Sequence, residues 1–355
     1  MTDYNDKEKK GKKAISPPKP EAFKGKQLDL FRSFICNGEQ ERGKLSNAFF
    51  LWDSVPRYAV SRQQMNKIRK EKGFLGLQVV EFQYQQTTFT ATIQAARIIE
   101  KKTGKEIDYY PSANEELIED ALRKIAAEQF NGFLDQPTAQ SGVVFTLHML
   151  REEMKRRGHA RSFQEIYSSL MILSGSMIEI KAKDGKGLEG LKRTNYFPDL
   201  TTVTKNKLAD DPNAKWVVQF HPLVTKALNT LTYRQYNYAK MMSLKSQLAR
   251  WIHKQLSLKH RSASLVNQFT MRFSTIKRDS ALLEGYKVQQ QAIVAVSTAF
   301  KELETSGVLM KVEKKTTLGH RGKIEDIAYT LTASLDFIAE MKAANKRENA
   351  IEKKI

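Results

Sequence analysis

The sequence predicts an α+β chain of two tandem domains behind a disordered basic leader. Three observations predict it. One order of helices and strands occurs twice, the helix stops Ser174-Gly175 and Ser306-Gly307 each precede a matching strand, and 355 residues suit two domains of common size better than one large one.

Residues 1–26 are lysine-rich, carry Pro17, Pro18 and Pro20, and hold too little apolar matter to offset ordering entropy, so they read as a disordered leader. Residues 27–73 read as a short hydrophobic motif, Gln27-Leu28-Asp29-Leu30-Phe31, followed by a linker. The first domain is expected over 74–235, the second over 236–340, and a fraying charged tail over 341–355.

In the first domain, "LQVVEFQYQQTTFTATI" alternates as a hairpin that extends a sheet within the domain or pairs with another subunit. Ser112 and Glu115 form a capping box ahead of a helix with Leu117, Ile118, Ala121, Leu122 and Ile125 on one face. The strand "VVFTL" follows, then a helix over Met149 to Arg157 and the turn "RRGH". A second capping box opens the helix "SFQEIYSSLMIL", with Phe163, Ile166, Tyr167 and Leu170 on one stripe. Gly175 suits a helix stop. The strand "SMIEIKAK", a glycine- and lysine-rich loop and a return strand, "KWVVQFHPLV", complete the copy.

The second copy opens at "YAKMMSLKSQLARWIHKQLSLKH", which places Leu244, Leu248, Trp251 or Ile252, and Leu256 at helical spacing. The strand "FTMRF", a short helix from about Ser274, the turn "LEGYK" and a long helix over Val288 to Glu304 come next. Strand "VLMKVEKK", loop "TTLGHRGK" and strand "IEDIAYTL" end it. Helix, strand, helix, glycine turn, helix and hairpin is the order of a winged helix-turn-helix, whose last helix enters the major groove of DNA while basic residues fix its register on phosphates.

That function needs one apolar and one polar helix face. In the second copy Ala292, Ile293, Val296, Ala299, Phe300 and Leu303 form the apolar stripe, while Lys287, Gln290, Gln291, Val294, Thr298 and Lys301 lie opposite. Glutamine pairs with adenine edges, lysine with guanine or phosphate, and valine meets a thymine methyl. A merely solvated face is the other reading, because glutamine and lysine are good helix formers. Lys277, Arg278, Lys314, Lys315, His320, Arg321 and Lys323 flank this helix as candidate phosphate contacts. In the first copy the corresponding face is Arg161, Gln164, Glu165 and Ser168, a weaker reading surface in which Glu165 also reads as a cap, while Lys155, Arg156, Arg157 and Arg161 suit phosphates better than bases.

Charge points the same way. Lys and Arg number 59 against 39 Asp and Glu, a formal charge of +20 that attracts polyanions. Double-stranded DNA is the expected partner; a basic but solvated surface is the alternative. Cys36 is the only cysteine, which excludes a disulfide within the chain and a cysteine-rich zinc site, and fits a reducing cytoplasm. No apolar run approaches the roughly 20 residues that span a bilayer. The histidines lack metal-ligand spacing, and "GKGLEGLK" fails the phosphate-loop pattern, so no catalytic site, metal or cofactor is expected.

Three stretches then resemble the iteron-binding plasmid replication initiators of the TrfA and RepA type: "KQLDLF", "KMMSLKSQLARWIHKQLS", which looks like that family's linker helix, and "AFKELETSGVLMKVE", like its recognition helix running into a wing strand. The resemblance covers roughly residues 27 to 335. It implies a bacterial, cytoplasmic, non-enzymatic initiator that binds repeated origin sequences chiefly through the second winged helix, opens adjacent AT-rich DNA and recruits the host replisome. It also implies a homodimer in equilibrium with monomer, contacts to the host initiator and replicative helicase, and docking of Gln27-Leu28-Asp29-Leu30-Phe31 on the DNA polymerase sliding clamp. Packing of Leu28, Leu30 and Phe31 on the first domain is the other reading of that peptide. A winged-helix transcriptional regulator is the alternative function.

Overall fold

The computed structural model describes residues 43–100, 104–128, 132–135, 138, 140–183, 193–203 and 214–352. The leader, the Gln27-Leu28-Asp29-Leu30-Phe31 peptide and the loop "GKGLEGLK" lie outside the described residues. Among the described residues the first elements are β1 (Leu45–Phe49), α1 (Arg62–Lys72), the strands β2 (Gln78–Tyr84), β3 (Thr87–Gln94), β4 (Ala96–Ile99) and β5 (Glu106–Tyr109), and α2 (Ala113–Glu128). It continues through β6 (Gly132–Asp135), β7 (Gln140–Thr146), α3 (Leu147–Arg156), α4 (Phe163–Gly175), β8 (Met177–Ala182), β9 (Thr194–Asn195), β10 (Leu200–Val203), β11 (Lys215–Gln219), α5 (Pro222–Asn229) and β12 (Tyr233–Asn237). The remainder is α6 (Tyr238–Ser243), α7 (Gln247–Lys259), β13 (Phe269–Arg272), α8 (Phe273–Ser280), α9 (Gln289–Thr305), β14 (Leu309–Leu318), β15 (Ile324–Ala333) and α10 (Leu335–Glu352).

Alternation makes β2 and β3 a hairpin. Gln85 and Gln86, at φ 48° and 66°, form its two-residue turn, and the inward set Phe82, Phe89, Ala91 and Ile93 is buried. The hairpin pairs inside the same unit, with β8, in the order β2-β3-β8-β9. The return strand "KWVVQFHPLV" does not close a hairpin with β8 as expected. As β11 it joins β10, β7 and β6 in a separate sheet, because the apolar runs of β7 and β11 match residue for residue from Gly142↔Gln219 to Thr146↔Lys215.

Two apolar clusters hold the chain. One gathers Trp52, Met65, Phe82, Ile118, Leu122, Phe145, Leu150, Leu170 and Trp216; the other gathers Leu244, Ile252, Ile276, Val296, Phe300, Tyr329, Leu331 and Phe337. The stretch expected as linker therefore carries structure: β1 pairs with β12, and Trp52 and Met65 are core residues. Nor do residues 341–352 fray as a tail. Phe337, Ile338, Met341 and Ala344 continue one buried stripe, so α10 runs on to Glu352 and straps the first unit, with Arg234 donating to Glu348 (2.7 Å) and Asn345 (2.6 Å).

The supposed linker helix is two helices. Leu244 is extended (ψ 130°) and buried in the second cluster, and the Ser246 side chain accepts from Ala249 N–H to start α7. Of the two Ser-Gly stops, Gly307 is left-handed at φ 71°, as a helix stop requires. Gly175 is not; it permits close packing, since a Cβ there would sit 3.0 Å from the Ala96 Cβ.

In the second unit, α7, β13, α8, α9, β14 and β15 follow in the expected order, with sheet order β13-β15-β14. Helix α7 belongs to both units. Leu248, Ile252 and Leu256 enter the second cluster, while Lys254 reaches Asp120 (2.6 Å) and Glu116 (3.5 Å), and Gln255 Nε2 donates to the Asp53 carbonyl (3.1 Å). Those carboxylates stand in a buried network: Arg123 and Arg57 pair with Asp53 and Glu119, and Trp52 Nε1 donates to Glu119 (2.6 Å). Burial opposes ionisation there, yet Arg123 and Arg57 outweigh it and hold Glu119 down at about 2 and Asp53 well below the usual carboxylate range.

Candidate nucleic-acid interface

Helix α9 forms because six apolar side chains recur at helical spacing, and all six expected to be buried are: Ala292, Ile293, Val296, Ala299, Phe300 and Leu303. Their burial turns Gln290, Gln291, Val294, Thr298 and Lys301 to solvent, with Lys287 exposed just before the helix. Val294 is 54% exposed in the middle of that face, so an apolar contact is displayed among polar ones. Thr298 is constrained: its hydroxyl donates to the Val294 carbonyl (2.9 Å).

The start of α9 carries a signal that the sequence reading missed. Its N-cap is Val288, no side chain caps it, and no acidic residue lies in its first turn. The free N–H groups and the positive end of the helix dipole therefore meet solvent beside Lys287, where an anion is favoured. The signal is legible as a missing Ser, Thr, Asp or Asn ahead of Gln289-Gln290-Gln291.

The hairpin of β14 and β15 stands beside this helix. Residues 313–318 of β14 are exposed on both faces, whereas β15 buries Ile327, Tyr329 and Leu331, so the outer part projects beyond the core by roughly 3.4 Å per residue. Lys314 and Lys315 lie on it, opposite Tyr329 and Ala328, and both are exposed. The tip is a 3-10 turn, His320–Gly322, with Arg321 left-handed at φ 59°; His320, Arg321 and Lys323 are all exposed.

The turn side of α8 divides. Lys277 is exposed, but Arg278 is held by Asp279 through two bonds of 2.7 and 3.0 Å, and Asp279 also accepts from Gln83 N–H (3.1 Å). Arg278 thus helps tie α8 to β2. Ser274 and Asp326 lock α8 to the hairpin, since Asp326 accepts from both the N–H (3.0 Å) and the O–H (2.7 Å) of Ser274.

The candidates of the first unit are differently placed. Arg157 is largely covered: it donates to Glu153 (2.9 Å) and to the Gly43 carbonyl (2.5 Å), and its guanidinium lies 5.3 Å from the Tyr238 ring centre. Arg161 donates to Asn114 (2.6 Å), and Arg156, about half exposed, pairs with Glu153. Gln164 is exposed at the start of α4. Glu165 is a cap: it completes a box with Ser162, whose hydrogen bonds lower its pKa. A carboxylate therefore occupies the N-terminus of α4, which disfavours a phosphate there, in contrast to α9.

Among the described residues no group of three or more His, Cys, Asp or Glu is arranged to hold a metal, and no helix is long and apolar enough to cross a membrane.

No family model matches the chain, and no curated protein does. Solved structures do. A crystal structure of domains 2 and 3 of RctB (selenomethionine derivative) aligns with a TM-score of 0.47 at 10% identity, covering 84% of this chain and 99% of that one. A second crystal structure of RctB domains 2-3 gives 0.45 at 10%, covering 76% and 95%. The Pi initiator protein in complex with iteron DNA gives 0.42 at 10%, covering 69% and 98%. At such values these likenesses carry no functional argument.

Proposed function

We propose that the chain is a non-enzymatic, double-stranded DNA-binding protein that initiates replication. In this reading two tandem winged-helix units bind repeated origin sequences, open the adjacent duplex and recruit the host replisome. Helix α9 enters the major groove and the β14–β15 hairpin follows the backbone. One observation carries DNA binding: an exposed face of Gln290, Gln291, Val294 and Lys301 beside an uncapped helix start and a projecting basic hairpin. The first unit takes in residues 45–72 and supports the second through α7 rather than reading DNA with equal weight.

The step from DNA binding to initiation rests on the resemblance of "KQLDLF" and "AFKELETSGVLMKVE" to initiators of the TrfA and RepA type. Under it, the protein exchanges between homodimer and monomer in the bacterial cytoplasm, and Gln27 to Phe31 dock on the sliding clamp. Footprinting of the purified protein on supercoiled DNA flanking its gene tests this. Protection repeated at helical-turn spacing, with strand opening nearby, is expected. Binding without opening would replace the initiator by a transcriptional regulator. If, as is typical, six to ten phosphates are contacted, affinity falls by roughly 10³ to 10⁵ between 50 and 200 mM salt, and a flat response sinks the DNA reading.

A further inference from the structure

Where α1 of the first unit meets the turn before α9, the surface opens into a cleft of about 430 Å³. Gln63 and Gln64 line one side, Gly285, Tyr286 and Ala295 the other. A Cβ at Gly285 would come within 2.2 Å of Nε2, the far end of the Gln64 side chain, so glycine lets the two elements approach closely there. Gln64 Oε1 accepts from Ser61 N–H (2.7 Å) in the capping box that starts α1. The start of α1 thus lies beside the turn that leads into α9.

From the cleft, Gln63, Lys67 and Lys70 run along α1 at spacings of four and three, all exposed, over about 10 Å. The arginines of α1 turn the other way. Arg62 and Arg69 lie 4.6 and 4.8 Å from the Tyr109 ring centre, and Arg62 pairs with Glu115 (2.6 Å). Lys67 is 61% exposed and meets Glu71 at 3.7 Å, an exposed pair that is easily exchanged for another anion. Across the cleft, Ala295 flanks the Gln291 side of α9.

We propose that this cleft seats one sugar-phosphate strand of the duplex whose major groove α9 occupies, and that Lys67 and Lys70 contact its phosphates. The inference rests on α9 entering the groove. It assigns DNA contact to α1, a stretch that reads as a linker in the sequence.

Salt titration of the full chain on a random-sequence 40-base-pair duplex tests it. Each lost phosphate contact lowers the slope of log K against log salt by about 0.9, so Lys67→Ala with Lys70→Ala should reduce it by about 1.8, and Lys67→Arg with Lys70→Arg should restore it. Lys342→Ala with Lys346→Ala, an equal loss of charge from exposed positions of α10, should leave the slope unchanged. A steep wild-type slope that the α1 pair does not alter, or that the α10 pair lowers as much, overturns the cleft assignment and leaves the α9 reading standing. A wild-type protein with a flat slope overturns both.

Discussion

Lys254 Nζ lies 2.6 Å from the Asp120 carboxylate with both side chains buried, and this pair joins α7 to α2. Burial works against the ammonium, but Asp120 and Glu116 outweigh it and raise its pKa. Removing Lys254 leaves the buried Asp120 carboxylate with Arg123, at 3.5 Å, as its nearest remaining cation. Lys254→Ala should therefore cost about 3 to 5 kcal/mol in urea unfolding, far more than an exposed pair. A loss under about 1 kcal/mol would mean that water enters the junction.

His253, one residue earlier, is fully buried between Tyr236 and Phe337, and burial pushes it down to about 3. Below 6.5 the unfolded chain takes up a proton at this residue while the folded chain does not. Its contribution is thus fully present above 6.5 and is lost as pH falls toward 3, by up to about 1.4 kcal/mol per pH unit. Glu119 acts in the same sense, present above 4.5 and lost toward about 2. Denaturant titrations between pH 8 and 5 should show stability falling below 6.5. His253→Phe should flatten that slope in part, since burial also lowers His159 and His260. An unchanged slope would place the proton uptake elsewhere.

Base reading and positioning separate by substitution. Gln290→Ala or Gln291→Ala should cost about 1 to 3 kcal/mol on a selected site and little on random duplex. Arg321→Ala or Lys323→Ala at the hairpin tip should weaken both equally. Equal effects from all four would confine α9 to the backbone.

The Gln27-Leu28-Asp29-Leu30-Phe31 peptide is testable on its own. A synthetic segment from Lys24 to Phe34 should bind a bacterial sliding clamp in calorimetry at about micromolar affinity, the net of apolar burial and ordering cost. Leu30→Ala with Phe31→Ala should abolish that binding and leave DNA affinity intact. If the double substitution unfolds the protein instead, the peptide is part of its core.

Periodic segments were legible in the sequence. The stripe of α9, the Ser162–Glu165 capping box, the Glu115 carboxylate that accepts from Ser112 N–H and the β2–β3 hairpin each follow from spacing within one element. Pairings between distant elements leave no such period, which is why the chain order points β11 to β8 although it pairs with β7. Helix α2 misleads for another reason. Its apolar stripe reads as one buried face, yet Glu119, Asp120, Arg123 and Lys124 on its polar side are also buried, because charges from 53, 57 and 254 complete them. Charge pairing across such separations leaves no period in the chain. For the candidate interface, exposed residues were readable, whereas the diversion of Arg157 and Arg278 into structural bonds needed the partners' positions.

Strand β1 pairs with β12, from Leu45↔Asn237 to Phe49↔Tyr233. On the ribosome, β1 emerges nearly two hundred residues before the strand that completes it. At typical elongation speeds that interval is about 10 to 40 s, during which Trp52 and its neighbours have no finished shelter. The opening segment of the first unit is consequently a client for whatever holds nascent chains, and translation speed through residues 50–233 sets how long that custody must last.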